Sequence, residues 1–167
     1  MQEEIILHPI PPEHDGQASI LILGSFPSVA SRATAYFYGH PQNRFWRVVA
    51  AVMGDETPKT VEEKRAFLHR QHIALWDVIA ACRITGSADS SVRDVQANDL
   101  RPLLQSNPIR AIFVNGKTAE KYYNRLIYPR IGIQATCLPS TSPANAAVSL
   151  ERLIEAWQVI KTEKSPI

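Results

Sequence analysis

Cysteine is scarce: the 167 residues contain two, Cys82 and Cys137. Two thiols this far apart in sequence cannot by themselves hold a four-cysteine zinc or iron–sulfur centre. The chain starts Met1-Gln2-Glu3-Glu4, acidic where a secretory signal is basic, so no targeting segment is expected. Reduced core thiols in a cytoplasmic protein are the corresponding expectation. Long apolar runs are missing too, and nothing approaches the ~20 residues of a membrane span. Excess charge of one sign is absent, since 18 Lys+Arg face 16 Asp+Glu for a net +2. That balance gives no bulk electrostatic argument for nucleic acid. There is no internal repeat, low-complexity segment or linker. What remains is ordinary for a soluble fold, with 45% hydrophobic and 20% charged residues. The length predicts one domain over residues 1–167 with a core that needs no metal or disulfide staple.

Apolar runs alternate with helical patterns. Ser19 to Leu23 is a continuous apolar run ending at Gly24, the mark of a strand buried on both faces. Phe45, Val48, Val49 and Val52 fall at i, i+3, i+4 and i+7, one face of a helix that starts near Asn43 and stops near Gly54. Pro58 to His69 predicts a second helix, Ile73 to Ile79 a strand holding Trp76 and Asp77, and Thr85 to Ser91 a polar loop. Asp99 to Ser106 predicts a short helix, Ala111 to Val114 a strand, and Lys117 to Ile127 a helix after the Asn115-Gly116 turn. Ile133 to Leu138 predicts a last strand, and Leu150, Leu153, Ile154 and Trp157 stripe a C-terminal helix. The expected fold is α/β: a three-layer αβα sandwich around a mostly parallel four-stranded sheet. Such sheets bind ligands beyond the carboxyl ends of their strands, so the loops there carry most weight.

After the first strand comes Gly24-Ser25-Phe26-Pro27-Ser28, with one glycine and no Gly-Lys-Ser/Thr, so it is not a phosphate loop. Tyr36, Phe37 and Tyr38 are consecutive aromatics that either seal the core or stack a planar ligand. Asn43, where the helix begins, suits an N-cap by itself. Ser140-Thr141-Ser142, set between Pro139 and Pro143, is either an ordinary turn or a rigid hydroxyl-and-amide loop for phosphates.

Taken together, Gly24-Ser25-Phe26-Pro27-Ser28, His40-Pro41-Gln42-Asn43-Arg44-Phe45-Trp46 and Leu138-Pro139-Ser140-Thr141-Ser142 resemble the uracil-DNA glycosylase superfamily. The set that includes Tyr36-Phe37-Tyr38-Gly39 is most similar to the branch acting on deoxyinosine, and the likeness runs from about residue 20 to 160. Two positions depart from the superfamily pattern. Phe26 stands where an Asp or Asn usually positions the attacking water, and Leu138 stands where a His usually supports the departing pyrimidine.

The resemblance implies a monofunctional hydrolase that flips hypoxanthine out of DNA and cleaves its N-glycosidic bond. Uracil or mismatch excision, and a lesion-binding module without chemistry, are the alternatives. Asn43 takes the catalytic position. Gly24, Ser25, Phe26, Pro27, Phe37, Tyr38, His40 and Asp77 are the expected base pocket, with Phe26 against the base and Asp77 accepting from hypoxanthine N1–H. His40 is a candidate to protonate or hydrogen-bond a purine nitrogen. Ser28, Lys117, Ser140, Thr141, Ser142, Ala144 and Asn145 are expected to meet DNA. Neither metal nor cofactor is implied. The expected partner is double- or single-stranded DNA carrying a deaminated base, and the expected state is a cytoplasmic monomer with no membrane contact.

Overall fold

The computed structural model describes residues 4–27, 31, 33, 36–84 and 93–164. Strands β1 (Glu4–Leu7) and β2 (Ile20–Gly24) precede helices α1 (Phe45–Met53) and α2 (Val61–Arg70). Next come β3 (Ile73–Asp77), β4 (Ile79–Ile84), β5 (Arg93–Ala97), α3 (Arg101–Ser106), β6 (Ala111–Asn115) and α4 (Lys117–Tyr122). A π-helical segment, Tyr123–Ile127, continues α4 into α5 (Tyr128–Ile131); β7 (Ala135–Leu138), α6 (Leu150–Trp157) and α7 (Val159–Lys164) follow.

The central sheet has the order β3-β2-β6-β7, and every neighbouring pair is parallel. Alternate residues of each strand point to opposite faces, and both faces are covered. Ile20, Ile22, Leu75 and Phe113 pack under α1, α2, α6 and α7. Leu21, Leu23, Ile112 and Val114 pack under α3, α4 and the π-helical segment. This is the expected three-layer arrangement. Phe45, Val48, Val49 and Val52 are all buried in α1, and Gly54 ends that helix with φ 67, a left-handed value that glycine adopts without strain.

Some boundaries move. The helix expected to open at Pro58 begins at Val61, because the Thr60 hydroxyl accepts from Glu63 N–H and caps it. The strand expected over Ile73–Ile79 ends at Asp77, and the chain bends into β4. The buried Asn98 holds this bend, its amide donating to the carbonyls of Asp77 and Ile79. β4 belongs to a second, antiparallel sheet of order β1-β4-β5 that the sequence pattern did not announce. The polar stretch expected as a loop, 85–91, lies outside the described residues. Among the described residues, no helix is long and apolar enough to cross a membrane.

The chain between β1 and β2 is tied to β3 through Glu13, whose N–H donates to Leu75 O at 2.9 Å while Leu75 N–H donates to Glu13 O at 3.0 Å. The Glu13 carboxylate meets Arg65 Nε at 2.8 Å, His69 Nε2 at 2.9 Å and the Tyr36 hydroxyl at 3.1 Å. Burial opposes its ionisation, but these hydrogen bonds outweigh that and hold its pKa below the ordinary carboxylate value. The stabilisation is therefore present above the unfolded-state pKa and lost as pH falls through the lowered folded one. Arg65 is half exposed, which discounts its share. Glu13→Gln is expected to cost about 1–2 kcal/mol at neutral pH. Thermal melts of the two proteins should converge as pH is lowered below about 4.

Candidate active site

The ends of β2, β3 and β6 and the loop after β7 enclose a cavity of about 130 Å³. Gly24, Ser25, Phe26 and Pro27 contribute from β2 and the loop after it, with Phe37, Tyr38 and Asn43 opposite. Asp77 closes it from β3, Asn115 from β6, and Ser140, Thr141 and Ser142 from the loop after β7. Loops separated by more than a hundred residues thus meet at one end of the parallel sheet.

Asn43 stands at the centre of a hydrogen-bonded junction. Its Oδ1 accepts from Phe45 N–H at 2.9 Å, in a turn immediately before α1, and from the Thr141 hydroxyl at 2.9 Å. Thr141 Oγ1 in turn accepts from Asn115 Nδ2 at 3.0 Å, and Thr141 N–H donates to Asn115 Oδ1 at 3.1 Å. A backbone N–H can only donate, so the carbonyl end of the Asn43 amide is fixed toward α1. The N-cap reading of Asn43 does not hold: Arg44 takes the cap position, with no side-chain capping bond, and Asn43 stands one residue earlier and accepts from Phe45 N–H from there. Its oxygen is committed to structure, and the two Nδ2 protons are its remaining polar resource.

Asp77 is buried, its side chain 5% exposed. His8 Nε2 lies 2.7 Å from Asp77 Oδ2, while His8 Nδ1 accepts from Ile10 N–H at 3.2 Å. Accepting at Nδ1 requires that nitrogen to be unprotonated, so the imidazole is the neutral Nε2–H tautomer and donates to Asp77. The other carboxylate oxygen, Oδ1, stands beside Gly24 at the cavity. Phe26, half-buried, lines the cavity and meets the His8 ring edge-on at 5.8 Å. The sequence reading missed His8 and Asn115: neither sits in a recognisable motif, and each acts through a partner distant in sequence.

Other expected site residues fall in varied surroundings. Phe37 is a core residue, 2% exposed, with an edge on the cavity. Tyr38 lies flat on Phe45, ring centres 4.0 Å apart. His40 is outside the cavity lining, and its Nδ1 accepts from Gln42 N–H at 3.0 Å. Ser28 lies outside the described residues. Thr141 is fully buried, with its polar groups engaged inside the protein. Ser140, Ser142, Ala144, Asn145 and Lys117 border an adjoining open depression of about 540 Å³. The turn there is braced by Asn145 Nδ2 donating to Ser140 O at 2.9 Å and by Arg44 donating to the carbonyls of Asn145 and Val148. Lys117 is almost fully exposed. Leu138 packs into the core, so the end of β7 presents no imidazole.

Comparison with known proteins gives a consistent assignment. The family model described as Uracil DNA glycosylase superfamily matches residues 11–161. A Methanosarcina acetivorans protein named hypoxanthine DNA glycosylase is 37% identical over 148 residues, covering 87% of this chain and 92% of the relative. Its namesake from Methanosarcina barkeri is 34% identical over 149 residues, covering 88% and 92%. A solution NMR structure from Methanosarcina acetivorans, whose name carries a provisional uracil DNA glycosylase assignment, superposes with a TM-score of 0.81. It is 34% identical, and the match covers 97% of this chain and 100% of that one. Sheet order, cavity position and sequence similarity agree: this chain belongs to the uracil DNA glycosylase superfamily.

Proposed function

We propose that the protein is a monofunctional DNA glycosylase that releases hypoxanthine from deoxyinosine, acting as a cytoplasmic monomer on double- or single-stranded DNA. The observation that carries this reading is the Asp77 carboxylate, which lines the cavity, with Oδ2 held by His8 and Oδ1 against Gly24. A carboxylate accepts from the N1–H of hypoxanthine and repels the N1 lone pair of adenine. The likeness over most of the chain to two proteins named hypoxanthine DNA glycosylase supports the same substrate.

In this reading the base leaves the stack and enters the cavity, its face against Phe26. Asn43 is the catalytic residue, donating through Nδ2 to the attacking water or to the departing base. Phe26 cannot orient water, which places that task on polar groups of the other loops. Among the described residues, no lysine lines the cavity to form a Schiff base, so hydrolysis leaves an intact strand with an abasic site. Ser140, Ser142, Ala144, Asn145 and Lys117 would meet the phosphates and the groove, with the Asn145 turn entering the space vacated by the base.

Duplexes containing deoxyinosine, deoxyuridine or deoxyxanthosine, incubated with the protein and then treated with alkali, test the proposal. Deoxyinosine strands should break at the modified position only after alkali. Breakage no greater than in the protein-free control would reject the reading, and breakage confined to deoxyuridine would transfer it to uracil excision.

A further inference from the structure

The Tyr38 hydroxyl is buried and without a hydrogen-bond partner, the single such side-chain atom found among the described residues. Asp77 and Asn115 are its polar neighbours, and the Asn115 side chain reaches toward it without the geometry of a full hydrogen bond. An unmade hydrogen bond on a buried hydroxyl is costly to a fold. Tyr38 also has a φ of 53, in the left-handed region that a non-glycine residue adopts only under strain. Its ring, stacked on Phe45 with 18° between planes, cannot swing aside to find a partner. Two local costs at one residue beside the cavity indicate a group kept ready for something that enters it.

Gly24 shows where the hydroxyl is directed. A Cβ built there would collide with Asp77 Oδ1 and come within 3.1 Å of the Tyr38 hydroxyl. The two oxygens therefore converge on one point at the end of β2, and the missing side chain lets them do so. Burial, reinforced by the nearby Asp77 charge, pushes the phenol pKa well above its ordinary value. Tyr38 is thus a neutral donor throughout the physiological range.

The geometry points to Tyr38 as a specificity-determining residue whose hydroxyl donates to the carbonyl oxygen of the flipped base, beside the Asp77 oxygen that accepts from the adjacent ring N–H. This rests on the base-release function above and completes it. Donor and acceptor side by side match the N1–H and O6 of hypoxanthine, a lactam edge. Adenine presents the reverse order, a lone pair at N1 and an amino group at C6, and is mismatched at both contacts.

The donor also acts in the reaction. As the C1′–N9 bond breaks, its electron pair stays with the base, and negative charge spreads through the ring onto O6. Water forms the new bond to C1′ and gives up a proton, and the base finally takes a proton to leave as neutral hypoxanthine. A donor at O6 is strongest when that charge is greatest, so Tyr38 should affect the bond-breaking step more than binding. The bond can be open in the free protein and tighten when a base is seated.

Tyr38→Phe keeps the ring and removes only the hydroxyl. Single-turnover base release from deoxyinosine duplex should fall roughly 10–100-fold. Affinity for abasic-site DNA, which has no base to read, should be unchanged, and the melting temperature should not drop because no made bond is lost. Release within twofold of wild type would overturn the assignment. So would parallel losses in melting temperature and abasic-site affinity, which mark a structural role. A wild-type protein inert on deoxyinosine but active on deoxyuridine would reject hypoxanthine as substrate. The same Tyr38→Phe comparison on uracil, whose N3–H and O4 form an equivalent edge, would then decide the role of Tyr38. Inertness of the wild type on both substrates would reject both readings.

Discussion

Asn43→Asp is expected to slow base release by roughly 100-fold or more while changing stability by less than about 1 kcal/mol. The substitution is isosteric and retains an oxygen that accepts from Phe45 N–H and from the Thr141 hydroxyl. The turn before α1 is therefore kept, and a negative charge at a helix N-terminus is favourable. The two Nδ2 protons are lost, and a carboxylate now faces a base that departs with negative charge. Asn43→Ser separates the roles from the other side, because a serine oxygen still accepts from Phe45 N–H without reaching the cavity as a donor. Single-turnover release and a thermal melt on both variants decide the matter. A rate within tenfold of wild type in Asn43→Asp would remove the Nδ2 protons from the mechanism.

Gly24→Ala should reduce release by about 100-fold or more and cost roughly 1–3 kcal/mol of stability, as overpacked sites do. The backbone at Gly24 is ordinary strand, so the effect comes from contact rather than from conformation. The colliding partner cannot retreat cheaply. Asp77 is held at 2.7 Å by His8, and Tyr38 is held by its stack on Phe45. A single methyl group would part the carboxylate from the hydroxyl without removing any polar residue. If Gly24→Ala released hypoxanthine at the wild-type rate, the pocket wall would be more yielding than these contacts imply.

The parallel sheet was legible because strands buried on both faces read as unbroken apolar runs, as in Ile20 to Leu23 and Ile112 to Val114. The same property hid the second sheet. Ile73 to Ile79 is apolar in sequence except for Asp77, and the bend at Val78 depends on Asn98, far along the chain. β1 was missed because its apolar run, Ile5-Ile6-Leu7, is only three residues long, and in the structure Ile5 and Leu7 are exposed. The cavity followed from attention to strand ends, which brought Gly24, Phe26, Asn43, Asp77 and the Ser140–Ser142 loop together. His8 escaped because its meaning lies in a contact 69 positions away. Tyr38 was visible as an aromatic ring, but only the surrounding packing shows that its hydroxyl is left without a partner.

The Asn43–Thr141–Asn115 junction bears on how this site can diverge. Its three members come from two loops and the end of β6, and each satisfies hydrogen-bonding groups of another. A substitution that removes the bonding atom at any one leaves a group of its neighbour unmatched, so the cost of a second change depends on the first. The three positions therefore form an epistatic set, in which a replacement rejected singly can be accepted in company. Diversification of the pocket toward other bases would have to vary the three together, while the rim residues Ser142, Ala144 and Lys117 remain free to change one at a time.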